Sequence, residues 1–96
     1  MTNERRIYEE IKAEMEAADA AYEAAREALN EYEMNPANWH QPDYQDCWSA
    51  LYKAIGDAAA KTREIGARLD AAEKELPEYR AMVAPYEMLL RAIMGN

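Results

Sequence analysis

Residues at spacings of three and four mark two long stretches of the chain. The first stretch runs Ile7, Ile11, Met15, Ala18, Tyr22, Ala25, Leu29 and Tyr32; the second runs Trp48, Leu51, Ile55, Ala58, Thr62, Ile65, Leu69, Ala72 and Leu76. Thr62 is the one polar residue in either series. This is the spacing of a helix whose narrow apolar stripe faces a partner helix. Folding the chain back between the stretches sets Tyr32 against Trp48, Leu29 against Leu51, Ala25 against Ile55, Tyr22 against Ala58, Met15 against Ile65 and Ile11 against Leu69. Small residues meet large ones in two of these layers, as interdigitating side chains require. The pattern predicts an all-α protein built on a long antiparallel, coiled-coil-like hairpin.

The flanking residues place the ends of each element. Helix 1 is expected from about Asn3 to Met34, ~48 Å long, and Asn35-Pro36 stops it because proline disfavours helical geometry in the preceding residue. A loop over residues 35–42 holds Pro36, Pro42, Trp39 and His40. Asp43 is expected to cap helix 2, with Asp46 in its first turn, and the helix to run from about Tyr44 to Leu76. Gly56 and Gly66 lie inside it, and close approach of a neighbouring helix accounts for glycine there.

A third helical segment is expected over residues 77–94. Pro77 suits a first turn, whereas Pro85 implies a kink or a division into two short helices. Tyr79, Met82, Val83, Tyr86, Leu89, Leu90, Ile93 and Met94 fall within ~140° of arc at helical spacing. Such a face has to be covered. The segment can fold back over the open end of its own hairpin as a three-helix bundle, or Val83, Leu89, Leu90, Ile93 and Met94 can associate with a second copy in a homodimer of hairpins, and both are expected to occur.

Length and charge narrow the function. The chain has 96 residues, enough for one domain, and a lone hairpin of this size buries little surface. With 11 Lys and Arg against 19 Asp and Glu, the net charge is −8. Direct nucleic-acid binding is disfavoured, since phosphates are repelled, and a protein with a basic surface is the expected partner. No apolar run approaches the ~20 residues that cross a bilayer, so no membrane association is expected and the location read is cytoplasmic. A single cysteine, Cys47, fits a reducing compartment.

No catalytic constellation is present in the sequence. There is one histidine and no phosphate-binding glycine loop, and the Glu-x-x-His pairs of helical di-iron proteins are missing. His40, Asp43, Asp46 and Cys47 supply too few histidine and cysteine ligands for zinc. The chain is therefore expected to be non-catalytic, without metal or cofactor.

Two features remain as candidate binding elements. Glu16, Asp19, Glu23, Glu27 and Glu31 step by three and four along the outside of helix 1, which carries ten acids against four bases. Helix 2 is nearly balanced, with six acids and five bases from Tyr44 to Leu76. Five carboxylates over ~22 Å give one per ~4.5 Å, sparser than the one per ~1.7 Å of duplex DNA. The second feature is Trp39, which has no place in either seam and sits in a loop, where binding residues concentrate.

Two matched helices with Trp39 in the turn resemble the secreted helical hairpins that carry a Trp-X-Gly turn, although Gln41 stands where those have glycine and the C-terminal third is additional. The acidic helical surface also resembles that of small phage-encoded inhibitors of CRISPR or restriction systems, which implies action in the host cytoplasm. The expected function is an acidic protein-binding module that blocks a basic surface of a nucleic-acid-handling complex. The alternatives are a self-assembling helical scaffold, and an oligomeric nucleotide sponge with Arg5, Arg6 or Arg26 on phosphate.

Overall fold

The computed structural model describes residues 2–95. Three helices follow in order: α1 over Asn3–Met34, α2 over Tyr44–Lys74 and α3 over Pro77–Ile93, with one 3-10 turn, Pro36–Asn38, in the first connection. Helix α1 starts where expected because the Thr2 hydroxyl accepts the Arg5 backbone N–H at 3.2 Å, satisfying one of the orphan donors of the first turn. It stops at Asn35, which is extended at φ −95° and ψ 106° ahead of Pro36, as a pre-proline residue must be.

Helices α1 and α2 pack antiparallel in the predicted register. Trp48 reaches Glu33 at the closed end, and Arg68 reaches Glu14 further along. Nearly every predicted seam residue is buried or half-buried, Ile7 being the exposed one. The tightest packing lies toward the open end, where Ile11, Ala18, Ile65 and Ala72 form the core and Tyr8, Met15 and Leu69 close over it. At the closed end the layers are aromatic. Tyr32 stacks on Tyr44 with ring centroids 5.4 Å apart, while Trp48 stacks on Tyr52 at 5.1 Å.

Three local features differ from expectation. Asp43 occupies the N-cap position of α2 without a capping hydrogen bond, because its backbone, at φ −97° and ψ 12°, is not extended. Its carboxylate instead accepts from the Cys47 thiol at 3.5 Å. Helix α2 ends at Lys74, before Leu76: the N–H groups of Glu75 and Leu76 turn back to Ala72 and Glu73, and Leu76 is extended before Pro77. Close helix approach does not explain the glycines. A methyl at Gly56 meets nothing within 4 Å, and one at Gly66 sits 3.7 Å from the Met15 methyl, an ordinary contact. At Pro85 the single-helix alternative holds, α3 being continuous through the proline. The helix closes at Gly95, whose N–H donates to the Ala92 carbonyl and whose φ of 83° turns the chain out of the helix.

Helix α3 does not fold back along the hairpin. Its first turn is anchored, with Leu76 buried, Tyr79 half-buried and Glu78 paired to Arg5. Beyond Val83 its apolar side chains are exposed. The radius of gyration, 21.5 Å, greatly exceeds the ~12.5 Å of a compact chain of this length. The chain is thus a long hairpin with a projecting third helix.

Candidate protein-binding site

Helical geometry puts Glu16, Asp19, Glu23, Glu27 and Glu31 within ~120° of arc on α1, opposite the face that packs on α2. All five are exposed. Glu23 pairs with Arg26 at 3.6 Å, and among the described residues the other four form no ion pair. Six acids elsewhere on the surface are paired. Glu9 and Glu78 share Arg5, Glu14 holds Arg68, Asp57 holds Lys53, Asp70 holds Lys74 and Glu75 holds Arg80. Glu4, Glu10, Asp46, Glu64, Glu73 and Glu87 are unpaired as well among the described residues, so the row is distinguished by its continuity along one face: from residue 13 to 34 α1 carries a single base, Arg26. The result is a row of carboxylates whose field is directed outward.

At the closed end the loop wraps the last turn of α1, whose carbonyl groups lack helical donors. Asn38 Nδ2 donates to the Tyr32 carbonyl at 3.1 Å and Trp39 Nε1 donates to the Glu33 carbonyl at 2.7 Å. The indole N–H of Trp39 is therefore used internally, and its ring remains 54% exposed. Trp39 is a fixed apolar plate on the surface, with its polar edge satisfied. Tyr52, stacked on Trp48, and Met34 are also exposed at this end. Glu33 is the residue that sequence reasoning passed over, since its carbonyl and carboxylate engage Trp39 and Trp48. The i, i+4 spacing of Trp48 and Tyr52 was a readable sign of their stack; no signal in the sequence marked Glu33.

Tyr32 sits half-buried beside this cluster. Loss of water raises its phenol to about 12, assisted by the Cys47 thiol and the charge of Asp43. Lys74 is raised by its hydrogen bond to Asp70. Among the described residues no three His, Cys, Asp or Glu side chains converge as a metal site would require. The arginines considered for a phosphate are engaged: Arg5 with Glu9 and Glu78, Arg6 with the Asn3 side chain, and Arg26 with Glu23. Among the described residues no helix is long and apolar enough to cross a membrane.

The second exposed surface is α3. Leu89 and Leu90 are 57% and 56% exposed, Ile93 and Met94 71% and 77%, whereas Val83 is half-buried near the hairpin. The acidic row, Trp39 and the α3 face are three separate regions of one elongated molecule. No protein-family model, no characterised protein and no solved structure matches the chain.

Proposed function

We propose that this chain is a non-catalytic protein-binding module whose acidic α1 face occupies a basic surface of a larger, nucleic-acid-handling protein complex. The observation that supports this reading is the run of exposed carboxylates, Glu16, Asp19, Glu27 and Glu31, without ion pairs among the described residues, on a stretch of α1, residues 16–31, that carries a single base, Arg26. Unpaired surface charge of one sign accelerates encounter with an oppositely charged surface and suppresses encounter with nucleic acid. Trp39 supplies a rigid apolar anchor at one end of the row, the kind of residue that dominates interface energies. Blocking a basic site in this way is the action of an inhibitor, of the style that phages direct at CRISPR or restriction enzymes in the host cytoplasm.

The test is capture on the immobilised full chain at ~50 and ~300 mM salt, where the screening length falls from ~14 to ~6 Å. A basic nucleic-acid-binding protein held at low salt, and lost when Glu23→Lys and Glu27→Lys are combined, is the expected result. Retention of the same partner by the reversed variant, with helicity unchanged, would overturn the charge mechanism.

A second reading, self-assembly, is favoured by a separate observation. Helix α3 presents Leu89, Leu90, Ile93 and Met94 to solvent, and apolar surface of this kind marks association.

A further inference from the structure

We propose that the exposed face of α3 is a homodimer interface in which two copies of the helix lie antiparallel, with Met82 against Ile93 of the second copy and Tyr86 against its Leu89. The proposal rests on the self-assembly reading and is independent of the acidic face of α1.

The spacing within α3 defines the seam. Met82, Tyr86, Leu89 and Ile93 follow one another by four, three and four, alternating the two core positions of a heptad. In an antiparallel pair each residue of one core type meets the other type, so these four residues form four closed layers about a two-fold axis between Tyr86 and Leu89. The positions flanking the seam are Val83, Pro85, Leu90 and Ala92. None is charged. Glu87 and Arg91 fall on the outer side, away from the contact.

Charge selects both the occupant and its orientation. Helix α3 holds two acids, Glu78 and Glu87, and two bases, Arg80 and Arg91, so the whole net charge of −8 belongs to the remainder of the chain. Repulsion between copies is concentrated on α1, with ten acids against four bases; α3 is neutral and, unlike the equally balanced α2, leaves its apolar face uncovered. A parallel arrangement would bring both acidic hairpins to the same end of the helix pair. The antiparallel one sends them to opposite ends, which lowers the repulsion. A basic partner, by contrast, finds no carboxylate at the flanks of this seam to pair with.

The chain exposes more surface than a compact monomer of its mass. The chain exposes 7341 Å², whereas a folded monomer of 11.0 kDa exposes ~5,600 Å². The excess, ~1,700 Å², is spread over an elongated molecule of 69 × 35 × 16 Å, and the uncovered side chains of α3 are part of it. Pairing through α3 also gives cover to the element that has least contact with its own hairpin.

Two measurements on the full chain test the proposal. Sedimentation equilibrium is expected to give twice the 11.0 kDa chain mass, and Leu89→Glu, which places a charge in a central layer, is expected to weaken association ~100-fold. Monomer at every concentration up to ~0.5 mM, well above the dissociation constant of a weak ~10 μM dimer, would overturn self-assembly itself. A dimer indifferent to Leu89→Glu would place the interface elsewhere and overturn the assignment to α3. The orientation is read by disulfide trapping in a Cys47→Ser background, which removes the one native thiol. Mixing Tyr86→Cys chains with Leu89→Cys chains is expected to yield the mixed disulfide. Preferential trapping of Leu89→Cys with itself would overturn the antiparallel register while leaving a dimer through α3.

Discussion

Trp48 donates its indole N–H to the Glu33 carboxylate at 2.6 Å, a bond that joins the last turn of α1 to the first turns of α2. The same glutamate accepts from Trp39 through its main-chain carbonyl at 2.7 Å. One surface residue thus fixes both tryptophans, by two chemically different acceptors. The closed end of the hairpin is held by side chains of the loop and the helix ends rather than by a tight backbone turn.

Glu33→Ala is expected to separate the two roles. It removes the acceptor for Trp48 and leaves the carbonyl that holds Trp39. The loss should be about 1 kcal/mol, the ordinary net contribution of a hydrogen bond. Glu33→Gln, which keeps an acceptor oxygen, should recover part of it. Urea denaturation gives the stability and tryptophan emission reports the ring: in a Trp39→Phe background, the Trp48 signal should shift to the red in Glu33→Ala. An unshifted emission with unchanged midpoint would mean that the bond contributes nothing to the closed end.

Packing and ion pairing make unequal contributions along the hairpin. Ile65, 3% exposed, is the most buried residue of the core, and Ile65→Ala should cost about 2–5 kcal/mol. Arg68 lies one turn further on and bridges to Glu14 at 3.0 Å, with both side chains 48% exposed. Long exposed side chains lose entropy in such a pair and remain screened by water, so Arg68→Ala should cost under ~1 kcal/mol. Both are compared by denaturant midpoint at one protein concentration. Equal costs would show that the cross-helix ion pair, and not the seam, sets the stability of the hairpin.

The contrast between seam and α3 shows what a sequence of this kind encodes. Heptad spacing records which face of a helix is covered, and two seams joined by a short loop leave one antiparallel solution, so Ile11, Ala18, Ile65 and Ala72 were readable as core before any coordinates. The spacing within α3 is as regular as in the hairpin. It states that Met82, Tyr86, Leu89 and Ile93 require cover and not whether the cover comes from the same chain, and the fold-back bundle was therefore an open alternative until the helix was seen to project. The acidic row was readable in full, because exposure follows from being opposite the seam. The unpaired state of four of its members was not, since it depends on which acid each neighbouring base reaches, as Arg26 reaches Glu23 and Arg68 reaches Glu14. Asp43 holds the N-cap position that its sequence context marks, but the capping hydrogen bond is absent, because it depends on a backbone conformation that residue identity favours without imposing.

Alkaline titration gives a test confined to the aromatic end. Tyr32 has its phenol raised to about 12, first by loss of water, then by the Cys47 thiol and the Asp43 charge. A group that ionises later in the folded chain than in the unfolded one stabilises the fold fully below the unfolded value, near 10, and that contribution disappears as pH rises through 12. Stability should therefore fall between pH 10 and 12 as Tyr32 ionises. Lys74, also raised, adds a loss of the same sign in the same range. Tyr32→Phe separates the two. It has no phenol to ionise, so its stability should decline less steeply with pH than that of the wild-type chain. Of the seven tyrosines, the late-titrating one should vanish from the near-ultraviolet absorbance titration. A late tyrosinate step that survives in Tyr32→Phe would assign the raised phenol to another residue. An unchanged pH slope would show that burial of Tyr32 against α2 is not what resists ionisation.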